Sequence, residues 1–150
     1  MANDITIRVA ENGDLAGLLS LYAHLHNNPM PPASKKLENL WREIMLDSNH
    51  NIVVATVSDE IVASCVVVTI PNLTHSQKPY ALIENVVTHT EYRKKGYATQ
   101  VLDYAKNIAA NNGCYKIMLM TGSKKEETLR FYERAGYNKN DKTAFIQWLD

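Results

Sequence analysis

Arg93, Lys94, Lys95 and Gly96 stand between a β-branched run, Ile83 to Thr88, and a helical pattern that begins at Tyr97. A helix start presents unpaired backbone N–H groups and the positive end of the peptide dipole. A basic, glycine-containing turn leading from a strand into a helix is therefore a place to hold phosphate. Glu84 is the second residue with chemical promise. It lies inside Ala81-Leu82-Ile83-Glu84-Asn85-Val86-Val87, where burying an unpaired carboxylate is costly. It must face solvent, a partner group or a cleft. Its neighbour Asn85 is expected on the opposite face, because side chains alternate along a strand. The histidines, His24, His26, His50, His75 and His89, have no metal-site spacing, and none pairs with an obvious serine or cysteine nucleophile. Cys65 and Cys114 sit in apolar surroundings and read as buried free thiols of a reducing compartment.

These residues need elements to position them. The chain of 150 residues reads as one domain, 1–150, large enough to bury a core. Lys+Arg and Asp+Glu both number 16, so the protein lacks the basic field that nucleic acid wants. The cations at 93–95 are a local patch, better suited to a small anion. No signal-peptide pattern opens the chain and no apolar run is long enough to span a membrane, so a cytoplasmic protein is expected.

Ile5, Ile7 and Val9 alternate with polar residues and predict a first strand. Asp14 is expected to cap a helix carrying Leu15, Leu18, Leu19, Leu21, Tyr22 and Leu25. After a breaker-rich loop over 27–33, Ser34 to Asp47 predicts a second helix with Leu37, Leu40, Trp41, Ile44 and Met45 on one face. Ile52 to Val57 and Ile61 to Ile70 read as strands joined by a short turn, and Tyr80 to Thr88 as a fourth. A helix from Tyr97 to Asn111 stops at Gly113. Tyr115 to Met120 predicts a fifth strand, Lys125 to Ala135 a fourth helix, and Thr143 to Leu149 a last strand, after a short one near Tyr137. The helix between the fourth and fifth strands implies a parallel crossover. The expected fold is a mixed α/β sheet of six to seven strands with about four helices on both faces.

In this order of elements the chain resembles the GNAT superfamily of acyl-CoA-dependent N-acyltransferases. Arg93-Lys94-Lys95-Gly96-Tyr97-Ala98, following Val86-Val87-Thr88, is similar to that family's Arg/Gln-x-x-Gly-x-Gly/Ala cofactor signature. Leu129 to Tyr137, with Phe131-Tyr132-Glu133 and Gly136-Tyr137, is similar to its FYE-x-x-GF helix. Two motifs in this order and separation are far more specific than either alone. Ala98 stands where many relatives have glycine, and it is still small enough for close backbone approach.

The resemblance implies acetyl-CoA as cosubstrate, with no metal. Its diphosphate would sit on the amides of Lys95, Gly96, Tyr97 and Ala98, helped by Arg93, Lys94 and the Thr99 hydroxyl. The fourth and fifth strands would splay, and the pantetheine arm would pair with Val86, Val87 and Thr88 like an added strand. The amide of Val87 or its neighbour would then polarise the thioester carbonyl. Ser123 takes the place of an asparagine that many relatives carry after the fifth strand. Tyr132 would protonate the leaving thiolate, and Glu84 would relay the acceptor's proton, directly or through water. Tyr22, His26, Asn27 and Met30 are candidate acceptor contacts.

The reaction implied is acetyl transfer to a primary amine by direct attack in a ternary complex. Alkylamines ionise near about 10, so a base is needed to free the lone pair. A small-molecule acceptor is preferred, because the neutral charge balance offers no acidic groove for a basic peptide. A peptide acceptor and a non-catalytic acyl-CoA-binding module are the alternatives. Asn112 to Ile117 with the later helix is similar to glucosamine-phosphate acetyltransferases, but that segment packs and does not select a sugar. A homodimer paired through the C-terminal strand is a further expectation.

Overall fold

The computed structural model describes residues 4–25 and 28–150. Among them five strands form one sheet in the order β1-β2-β3-β4-β5. These are β1 (Ile5–Val9), β2 (His50–Val57), β3 (Glu60–Ile70), β4 (Tyr80–Thr88) and β5 (Ile117–Leu119). The first four pair antiparallel and β4 pairs parallel with β5. The parallel step follows from the crossover helix between them, which returns the chain to the same end of the sheet.

β2 and β3 read as nearly continuous apolar runs because both their faces are covered. Val53, Cys65 and Val67 face a cluster built with Val101, Leu102, Ala105 and Ala109 of α4 (Tyr97–Asn111). Ile52, Val54 and Val66 face the other way, against Leu18 and Leu21 of α1 (Leu15–Tyr22) and Trp41 and Ile44 of α2 (Lys35–Leu46). α5 (Glu126–Arg134) packs Phe131 and Tyr132 on the α4 side. Thr74–Gln77, α3, is a single turn whose His75 and Ser76 are left-handed.

Local chemistry sets the joints. Val57 and Glu60 face each other across a two-residue loop, and Ser58 and Asp59 both take positive φ. That is the turn geometry matching the twist of a hairpin. The Ser34 hydroxyl accepts the Leu37 N–H at 3.1 Å and caps α2. Gly113 takes φ 77° just past the end of α4.

Two expectations are corrected. Asp14 does not cap α1 with its side chain. A 3-10 turn, Asn12–Asp14, precedes the helix, and the Asp14 carboxylate reaches back to the Glu11 N–H at 2.7 Å. The same carboxylate takes both arms of Arg8, at 2.6 and 3.1 Å. The sheet has five strands, not six or seven, among the described residues. Thr143 to Leu149 and the segment near Tyr137 form no ladder, because no neighbouring strand meets their backbone groups.

The Arg8 hydrogen bond is the main cause holding the Asp14 carboxyl below the usual aspartate range, with the Glu11 N–H adding to it against the cost of burial. A depressed carboxyl contributes stability above its unfolded pKa and loses it as pH falls through the folded one. Asp14→Asn is expected to cost about 1–3 kcal/mol in urea unfolding at neutral pH. The difference from the parent should fade below about pH 4. A pH-independent difference would show that the ion pair is not its source.

Candidate active site

β4 and β5 hydrogen-bond only from Ala81 to Ile83 against Ile117 to Leu119. Beyond Ile83 they diverge, and a cleft of about 1020 Å³ opens between them. At that point β4 also breaks its own rhythm. Val66 faces Glu84 and Ser64 faces Val87, so two residues of β4, Asn85 and Val86, oppose one of β3. Asn85 takes φ 52°, a conformation asparagine tolerates better than most side chains. The bulge overrides alternation. Glu84 and Asn85 are both exposed and both line the cleft, which corrects the expectation that Asn85 points away.

The floor of the cleft is β4 from Ile83 to Thr88. One end is closed by the basic turn. Gly96 has φ 82° and immediately precedes α4, with no side chain capping the helix. The first N–H groups of Tyr97, Ala98 and Thr99 therefore have no partner within the helix. An added Cβ at Gly96 would meet no protein atom within 4 Å, so within the protein itself the glycine is needed for its backbone angle. Arg93 donates from Nε to the Thr88 carbonyl at 3.3 Å, which lays its guanidinium along the cleft mouth. Lys94 also lines the cleft, whereas Lys95 does not. The Lys95 ammonium lies 5.0 Å over the Tyr92 ring, a cation–π contact that turns it away.

The opposite wall comes from the β5 exit and α5, with Leu119, Met120, Thr121, Ser123, Thr128, Phe131 and Tyr132. The Ser123 hydroxyl donates to Thr128 Oγ1 at 3.1 Å and accepts the Lys125 N–H at 3.3 Å. Its hydrogen bonds therefore organise the start of α5 while the residue edges the cleft. Burial pushes the Tyr132 phenol above its ordinary value, with the nearby Cys65 adding to the rise. Tyr137, stacked edge-on at 6.4 Å, is pushed up to about 12, mainly by burial. Tyr132 is thus a protonated donor at neutral pH. Cys65 is fully buried, contacts the Val101 carbonyl at 3.5 Å and is pushed up to about 12 by burial, far from a thiolate nucleophile. Cys114 is only half-buried, because it lies at the margin past α4.

Of the acceptor candidates, Tyr22 packs on the α1–α2 core cluster and Met30 is exposed, and neither lines the cleft. His26 and Asn27 lie outside the described residues. His24 and Leu25 do line it, and the His24 ring lies 4.2 Å from that of His89. Neither was among the acceptor contacts named from the sequence, although His24 leads into the same loop. The turn after Tyr22 swings them over the end of β4, and only a continuation of the α1 periodicity through Leu25 hinted at it. Among the described residues there is no group of three or more acidic, His or Cys side chains able to hold a metal ion, and no helix is long and apolar enough to cross a membrane.

A strand bulge, a parted parallel pair and a helix start at one cleft are the architecture of a known class. The chain belongs to the acetyltransferase (GNAT) family, whose model matches residues 18–137. It is an acyltransferase, of a family that uses acetyl-CoA. A Trypanosoma brucei brucei glucosamine 6-phosphate N-acetyltransferase is 28% identical over 145 residues, 93% of this chain and 92% of that one. A solved protein of Agrobacterium tumefaciens str. C58, assigned as an acetyltransferase, superimposes with a TM-score of 0.88 at 34% identity, over 95% of this chain and 99% of that one. The Arabidopsis thaliana glucosamine-6-phosphate N-acetyltransferase shares the fold, with a TM-score of 0.86 at 22% identity over 98% and 99% of the two chains.

The left-handed backbone at Gly96 sets a measurable expectation. Gly96→Ala should lower unfolding stability by about 1 kcal/mol, the cost of placing a Cβ in that region, read from the denaturant midpoint. An unchanged or raised midpoint would mean that the turn relaxes to ordinary φ.

Proposed function

We propose that the protein, as one catalytic domain over residues 1–150, transfers an acetyl group from acetyl-CoA to the primary amine of a small molecule by direct attack. The observation that carries this reading is that Glu84, Tyr132 and the Gly96 helix start all face one cleft, opened where β4 leaves β5. Acetyl-CoA would supply an activated acyl carbon and a thiol leaving group. Backbone amides of Tyr97, Ala98 and Thr99, with Arg93 and Lys94, would hold its diphosphate, and the free edge of β4 from Val86 to Thr88 would hold its arm. Lys95 would contribute its amide alone, since its ammonium is engaged with Tyr92.

The amide of Val87 or its neighbour would donate to the thioester carbonyl oxygen and stabilise the charge that builds there. Glu84 would accept the amine's proton, directly or through water, as the new C–N bond forms. Tyr132 would give its proton to the sulfur as the C–S bond breaks, so that an amide and a free thiol leave. The Tyr132 phenol lines the cleft and carries its proton at neutral pH, which supports this donor role. No cysteine step is invoked, because Cys65 is buried in the core.

A small-amine acceptor is supported by the similar Trypanosoma brucei brucei protein, which is named a glucosamine 6-phosphate N-acetyltransferase. His24 and Leu25 are placed to meet such an acceptor. We further place the enzyme in the reducing cytoplasm, since both cysteines are free, and take it to act as a homodimer.

Purified protein with acetyl-CoA and a panel of small amines, glucosamine 6-phosphate included, is expected to release free thiol. Tyr132→Phe should lower kcat by about 100-fold with little change in KM for acetyl-CoA. Full turnover by that variant at saturating substrates would remove Tyr132 from the proton path. Absence of thiol release across the panel, with acetyl-CoA bound, would favour a binding module instead.

A further inference from the structure

Asn85 carries none of the proton or charge chemistry above, yet β4 departs from regular strand geometry to place it. Before the break Ile83 faces Val67 and Glu84 faces Val66, and after it Val87 faces Ser64. Ala81 and Ile83 are buried on the α4 side of the sheet, and regular alternation would carry Asn85 to that same side. The bulge gives that side to Val86 instead and leaves Val87 to the α1 side. Asn85 is thereby released from the core, exposed and lining the cleft.

The arrangement requires φ 52° at a residue with a side chain, a left-handed backbone that is disfavoured unless something compensates. An apolar residue here could stay in a regular strand and add to the core. Strained backbone concentrates at functional sites, and a bulge beside a cleft re-aims a side chain. The side chain re-aimed here is an amide.

We propose that Asn85 is a specificity residue that hydrogen-bonds a hydroxyl group neighbouring the acceptor's amine, so that the acceptor is a vicinal amino alcohol. This rests on the reading of Glu84 as the amine's proton acceptor, and it narrows the small-molecule class. Adjacent Cα atoms lie about 3.8 Å apart. With both side chains in the cleft, an amine at Glu84 brings the substituent on the next carbon to Asn85. An amide both donates and accepts, and so does a hydroxyl, which pairs with it in either orientation. A carboxylate at that place would stand beside Glu84, a like charge at short range. An apolar substituent would cover the amide and leave it unpaired. Asparagine meets both demands of the position, since it tolerates left-handed φ and adds no second charge next to Glu84.

Thiol release with 2-aminocyclohexanol against cyclohexylamine, and with 2-aminoethanol against ethylamine, tests this. In the unaltered protein kcat/KM is expected to favour the hydroxylated member of each pair. Asn85→Gly keeps the left-handed backbone without strain and removes the amide. It should cut that preference by about 10-fold, the worth of one hydrogen bond in a closed site. Comparing the preference between variant and unaltered protein cancels the amines' own difference in basicity. Asn85→Asp takes the same φ and still accepts from a hydroxyl, so it should keep the preference. A preference untouched by the glycine substitution overturns the assignment but leaves acetyl transfer to amines standing. So does its loss in an aspartate variant that circular dichroism shows to be folded. A rise in KM for acetyl-CoA with the preference intact overturns it as well, since Asn85 would then only shape β4. Turnover of none of the four amines, with acetyl-CoA bound, overturns the acceptor reading itself and this assignment with it.

Discussion

β4 and β5 exchange hydrogen bonds over three residue pairs and then part. The site depends on that parting. A parallel pair that stayed closed would spend the β4 backbone groups on β5 and leave no groove. Because it opens, β4 from Glu84 to Thr88 keeps one edge free while β3 and two helical layers hold the other edge and both faces. The bulge at Asn85 adds a second consequence. It turns Glu84 and Asn85 together into the cleft, which a regular strand could not do. A carboxylate in an otherwise apolar strand is thereby solvated instead of buried.

The electrostatics follow from placement more than from charge. The protein is neutral overall, yet Arg93, Lys94 and the start of a 15-residue helix converge on one end of the cleft. That end favours anions. At the other wall stands Tyr132, a phenol that burial raises further above its ordinary value. The two ends are thus suited to different tasks, one to holding charge and one to giving a proton, with the β4 edge between them.

Much of this was legible in the residues. The β-branched run ending at Thr88 and the pattern stopped by Gly113 marked β4 and α4 to their observed limits. The Arg93–Ala98 turn and the Phe131-Tyr132-Glu133 helix pointed to the cleft they now line. What could not be read was set by contacts distant in sequence or by backbone irregularity. Nothing local announces the Asn85 bulge beyond asparagine's tolerance of positive φ. Asp14 looked like a helix cap because its partner, Arg8, is brought alongside only by the turn after β1. Lys95 counted with its neighbours until Tyr92 took its ammonium. The alternation in the C-terminal run was visible, but a strand exists only with a neighbour to bond.

The central claim, that the parted β4 edge and the Gly96 helix start form one acetyl-CoA site, is tested most directly by amide hydrogen exchange with and without acetyl-CoA. Protection is expected to rise together at Val86 to Thr88 and at Tyr97 to Thr99, with β1 and β2 unchanged. Binding that protects neither segment, or only surface remote from the cleft, would contradict it.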